Sequence, residues 1–148
     1  MLVSEEIEIG GQKSIMSDIR WKQRFVNFER AYSLLESVID QDNLTDVERA
    51  GLIKFFEMTF ELSWKLLKDY LEFEGYDVKS PREAIKQAFQ IGLIEDGQTW
   101  LIALEDRNLT THTYDEETAR NVERSIKENY EPLMRSLHCW FEGKMKNA

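Results

Sequence analysis

One cysteine, two prolines and seven glycines in 148 residues remove several classes of protein at once. The single thiol, Cys139, permits no disulfide within the chain, and no stretch combines a charged start, an apolar middle and a small-residue cleavage site. A reducing cytoplasm is therefore the expected setting. An all-β domain needs turn signals every 8–12 residues or so, far more than these few glycines and prolines supply. No apolar run approaches the ~20 residues that cross a bilayer, so no membrane role is expected. Positive charge is also short: 19 Lys and Arg against 28 Asp and Glu give a net charge of −9. That balance disfavours non-specific binding to phosphate polymers, which runs on counterion release by clustered cations, and any nucleic-acid contact must be local. What is present, 42% hydrophobic and 32% charged residues, is the composition of one soluble globular domain.

Residues 1–16, MLVSEEIEIGGQKSIM, carry a short alternation at Ile7, Glu8 and Ile9, then Gly10-Gly11, and no helical stripe. They are expected to form a flexible arm, with a short edge strand or an extension upstream of a second start at Met16 as the alternatives. Residues 17–143 are expected to form a single helical domain, and 144–148 a tail. From Ser17 onward, Trp21, Phe25, Phe28, Tyr32, Leu35 and Ile39 recur at alternating spacings of four and three, which places them on one face of a helix over about 18–41. Thr45 and Glu48 read as a capping box that opens a second helix, with the stripe Ile53, Phe56, Phe60, Trp64, Leu67 and Leu71 and a stop at Gly75. Ser80-Pro81-Arg82-Glu83 opens a short helix carrying Ala84, Ile85, Ala88 and Phe89, ending at Gly92. Another follows from about Gly97 to Leu109, with Trp100, Leu101 and Leu104 inward. The last begins after Thr113, with Thr113 and Glu116 as its capping box, and carries Ala119, Val122, Ile126, Tyr130, Leu133 and Leu137. Pro132 lies inside that stripe and should kink or restart the helix. The expected fold class is all-α, an antiparallel bundle of three long and two short helices, up-down and four-helix-bundle-like. Its aromatic residues are read mainly as core.

Several chemistries lack their parts. There is no Gly-x-x-x-x-Gly-Lys phosphate loop, no Gly-x-Gly-x-x-Gly and no His-Glu-x-x-His, and one Cys with two His does not make the usual structural zinc site. No metal and no cofactor are expected. Asp40-Gln41-Asp42 reads as a solvated turn, and His138-Cys139 as packing beside Trp140. Glu57, Glu61, Lys65, Lys68 and Glu72 read as a solvated face, and Arg20, Gln23, Arg24, Asn27 and Arg30 as a modest basic stripe. What is left is the run Arg107-Asn108-Leu109-Thr110-Thr111-His112-Thr113-Tyr114. On an unbroken helix Arg107 and His112 would lie ~140° apart around the axis, so the helix must end between them if they cooperate. A cation that stabilises phosphate charge and an imidazole that moves a proton suit metal-free cleavage of a phosphodiester, with Asn108 adding a hydrogen bond. A salt bridge and a cap are the structural alternative.

The Phe56-to-Lys65 run Phe-Glu-x-x-Phe-Glu-x-x-Trp-Lys, the Ser80-Pro81-Arg82 helix start, and Arg107-Asn108 through His112 and Tyr114 together resemble the HEPN superfamily. Within it they look like the nucleotidyltransferase substrate-binding proteins, which pair with a small separate nucleotidyltransferase and are close to the HepT-type toxins. The resemblance covers about residues 18–142. It implies a homodimer whose two Arg-x4-His corners make a composite site. In the toxin branch that site cleaves RNA, with Arg107, Asn108 and His112 as the matching residues, and the partner attaches adenylate to the tyrosine matching Tyr114. In the other branch the chain holds a nucleotide or acceptor substrate while the nucleotidyltransferase supplies the metal-binding acids. The expectation is the binding subunit, with the ribonuclease toxin and a non-catalytic helical adaptor as alternatives.

Overall fold

A computed structural model describes residues 2–110 and 115–147, with side chains over 15–107 and 115–147. The described residues are helical in every regular element: α1 Leu2–Ile39, α2 Asp46–Phe73, α3 Pro81–Gln90, α4 Gly97–Thr110, α5 Glu116–Ser125, a π turn Ile126–Tyr130, and α6 Glu131–Lys146. The helix starts follow local chemistry. Thr45 accepts the Glu48 backbone N–H at 3.2 Å while Glu48 accepts that of Thr45 at 2.9 Å, so the expected capping box is complete. Ser80 caps α3 through the Glu83 N–H, with Pro81 in the first turn; the Glu83 carboxylate accepts the N–H of Lys79, one residue upstream of the cap. Gly75 and Gly92 close α2 and α3 at φ +97° and +80°, a left-handed backbone that only glycine adopts without strain.

Three expectations are corrected. α1 begins at Leu2, not near residue 18, and its backbone runs helically through Gly10-Gly11 where a loose arm was expected. Glycine costs a helix only ~1 kcal/mol against alanine, so it weakens a helix without forbidding one. α5 takes Asp115 as its N-cap, not Thr113. The Asp115 carboxylate accepts both the backbone N–H and the hydroxyl of Thr118, at 3.2 and 2.8 Å. Phe89 is exposed on α3 and lies against Gly97, where an inward position was expected.

The last stripe does break at Pro132, and the form of the break is a widened turn. The Glu131 N–H donates to Ile126 O, five residues back, so the chain makes one π turn before α6 resumes with Pro132 in its first turn.

Antiparallel packing follows from the cross-helix pairs. Arg20 and Arg24 near the middle of α1 reach Glu72 and Asp69 at the end of α2, at 3.7 and 2.9 Å. On α6, Phe141 meets Trp21 and Phe25 while Glu131 meets Tyr32, so α6 runs against α1. The stripe residues Phe28, Leu35, Phe56, Phe60, Leu67, Leu71, Trp100, Ile126 and Leu137 are buried in one core. Ile39, Ile53 and Trp64 pack at its edge, while Leu52 and Leu66, outside the expected stripe, are fully buried because α2 has neighbours on more than one side.

Candidate functional site

The described part of α4 runs to Thr110, and the expected break between Arg107 and His112 falls on residues 111–114, outside the described residues. Of the expected site residues, the structure describes the Arg107 side chain and the backbone of Asn108. His112 and Tyr114 lie outside the described residues.

Arg107 sits in the last turn of α4, 22% exposed, and its guanidinium donates to the carboxylate of Glu61 on α2, itself 39% exposed. Glu61 also receives Lys65, one helical turn on, at 3.5 Å. Burial pushes the Glu61 carboxyl up, but the neighbouring Trp64 indole and the charges of Arg107 and Lys65 outweigh it and hold the group below the usual carboxylate range. The Trp64 N–H is buried and falls outside hydrogen-bond geometry, so its effect on Glu61 is that of a nearby dipole. The adjacent Asp106 accepts the hydroxyl of Tyr130 from the π turn. Burial, and then that carboxylate, push the Tyr130 phenol well above its ordinary value. The end of α4 is thus fixed on two sides, to α2 through Glu61 and to the π turn through Tyr130.

Sequence reasoning placed Glu61 on a solvated face and Tyr130 in a core stripe. Neither was read as a partner of the Arg107 segment, since the pairs span 46 and 24 residues with no local signal. In the basic stripe of α1, Arg20 and Arg24 face Glu72 and Asp69 of α2, and on α2 itself Glu61 pairs with Lys65. His138 packs, as expected, against aromatic rings.

On the α5 side, a surface pocket of about 300 Å³ is lined by Arg49, Arg120, Arg124 and Lys127 together with Glu123 and Glu128. Arg49 is tied to Glu123 at 2.7 Å and Asp46 at 3.0 Å, Lys127 to Glu123 at 3.1 Å, and Arg120 to Glu116 at 2.8 Å. Arg124 makes no ion pair among the described residues. This is a local cationic surface on a chain of net charge −9. Arg49, Arg120 and Lys127 already face carboxylates, so an anion entering this volume would meet Arg124 first.

Comparison with known proteins bears on the same span. The model of the family described as "Nucleotidyltransferase substrate binding protein like" matches residues 23–141. The probable ribonuclease HepT of Haemophilus influenzae strain Rd is 32% identical over 103 residues, covering 66% of this chain and 68% of that one. A solved structure from Thermus thermophilus superposes with a TM-score of 0.70 at 37% identity, over 74% of this chain and 94% of its own.

Proposed function

The chain belongs to the nucleotidyltransferase substrate-binding-like family, and from that premise we propose that it is the nucleotide- or substrate-binding subunit of a two-component module whose other member is a small nucleotidyltransferase. The observation that carries this reading is the cationic pocket beside α5, with Arg124 left unpaired among the described residues. A nucleotide phosphate supplies the missing anion, and the arginine fork suits it geometrically. The module works in the cytoplasm, as a homodimer. No helix among the described residues is long and apolar enough to cross a membrane. Calorimetry with ATP, with and without the nucleotidyltransferase, tests the reading. Wild type binds in the complex, and Arg124→Ala weakens binding at least tenfold at unchanged helicity. Equal binding by the variant removes the observation on which the proposal stands.

The HepT relative favours a second reading, in which Arg107, Asn108 and His112 cleave RNA without a metal and adenylylation of Tyr114 silences them. Arg107 would then exchange the Glu61 carboxylate for a phosphate, and His112 would move the proton. RNA cleavage in EDTA by wild type, lost in a folded His112→Ala dimer, establishes it. Inert wild type removes it for the RNAs tried and leaves the binding subunit.

A further inference from the structure

α1 and α6 bring together three ligating side chains that neither reading above uses. His138 of α6 lays its ring between Phe25 and Tyr32 of α1, at centroid separations of 5.6 and 5.3 Å and interplanar angles of 28° and 27°. Glu29 falls between those aromatics on the same face of α1, four residues after one and three before the other, and its Oε2 is 2.8 Å from His138 Nε2. Glu142 follows His138 by one helical turn, and its Oε2 is 3.9 Å from the same nitrogen. The other oxygen of Glu142 faces Lys146 at 3.7 Å, which leaves Oε2 to the histidine. One donor atom from each of the three residues lies within 4.8 Å of the other two.

We propose that Glu29, His138 and Glu142 form a site for a divalent first-row transition-metal ion, with Zn²⁺ as the type case. An imidazole nitrogen with two carboxylates suits zinc and its neighbours, whereas Mg²⁺ and Ca²⁺ prefer all-oxygen shells. Zinc bonds of ~2.0–2.2 Å in a tetrahedron set donors about 3.3–3.5 Å apart, so each carboxylate shifts by roughly 0.5 Å, Glu29 outward and Glu142 inward. The two carboxylates have that freedom, being 45% and 48% exposed, while His138 is 19% exposed and clamped between two rings. Two helices thus supply a fixed nitrogen and two adjustable oxygens, and a fourth position stays open to water. The site joins two helices across 109 residues of sequence, which is why motif spacing did not expose it.

The test uses the full chain carrying Cys139→Ser, so that the thiol cannot compete, stripped with a chelator and titrated with ZnCl₂ by calorimetry. One ion per chain, with a rise in melting temperature, is the expected result. Glu29→Gln and Glu142→Gln, which keep the side-chain shape, weaken binding at least tenfold while melting near the parent without metal, and His138→Gln abolishes it. If His138→Gln does not fold, the two glutamine variants decide. Absence of stoichiometric binding overturns the proposal. So does unchanged affinity in both glutamine variants, which would put the ion elsewhere on the chain.

Discussion

The α1–α6 face and the end of α4 both carry charged and aromatic groups, and they hold them differently. On the first, one carboxylate is enclosed: Glu131 is buried, accepts the Tyr32 hydroxyl at 3.0 Å, and is paired with Arg135 on its outer side, while Glu29 and Glu142 stand farther out. Aromatic rings close around it, with Phe28 stacked on Tyr32 and Tyr32 on His138. At the end of α4 the pairs Arg107–Glu61 and Tyr130–Asp106 lie at the edge of the core, beside helix α2 and the π turn. An enclosed network contributes stability that water and salt barely screen, while edge pairs contribute little stability and stay accessible to a ligand. The first region thus encloses part of its charge as framework, and the second, the proposed working surface, leaves its pairs within reach of solvent.

The largest expected effect lies in the shared core beneath both regions. Phe60 is fully buried between Phe56 and Trp100, and Phe60→Ala should cost ~3–5 kcal/mol through lost transfer energy and a cavity. Chemical denaturation measures it, and a cost below ~1 kcal/mol would mean that the core at α2 and α4 collapses onto the vacated space. Glu131→Leu comes next. It leaves the Tyr32 hydroxyl buried without its acceptor, at a cost of ~1–3 kcal/mol. The double variant with Tyr32→Phe should recover most of that loss, since removal of both polar partners is nearly neutral. Failure to recover would show that Arg135, not Tyr32, is the partner that matters.

The working surface is expected to respond in the opposite way. Arg107→Ala should change stability by no more than ~1 kcal/mol, because the Arg107–Glu61 pair is partly solvated. The same variant should remove RNA cleavage if the ribonuclease reading holds, and leave ATP binding in place if the α5 pocket is the ligand site. A stability loss above ~2 kcal/mol would place Arg107 with the framework and undo the distinction between the two regions.

How much of this could be read in advance depends on the range of the interaction. Thr45–Glu48 and Ser80-Pro81 are signals within four residues, and both helices start where those residues put them. Pro132 gave the place of the break but not its form, because a π turn depends on how the wider turn packs Ile126 and Tyr130 into the core. The cap of α5 was expected too early, at Thr113, and Asp115 holds it because its carboxylate collects two donors from Thr118. At the N-terminus the glycine pair was given too much weight, since local propensity is a weak prior beside continuation of an established helix. The motif singled out Arg107 as a candidate. Its partners were not, because Glu61 approaches it only once α2 and α4 have packed.

The smallest expected effect separates by pH the two contacts at the end of α4, Arg107–Glu61 and Tyr130–Asp106. Tyr130 and Tyr32 both have phenols raised above the ordinary value of 10.0, burial being the first cause and a carboxylate acceptor the second. A group whose folded pKa is raised contributes stability that is fully present below its unfolded pKa and lost as pH rises through the folded value. Both tyrosines therefore leave stability flat up to about pH 10 and erode it above that. Glu61 runs the other way: its lowered carboxyl contributes stability present above the unfolded value of 4.5 and lost as pH falls through the lower folded one. Tyr130→Phe should flatten part of the alkaline limb and leave the acid limb unchanged, whereas Glu61→Gln should flatten part of the acid limb alone. If Glu61→Gln also moves the alkaline limb, the Arg107 and Tyr130 contacts are coupled through α4, and the end of that helix responds to a ligand as one unit.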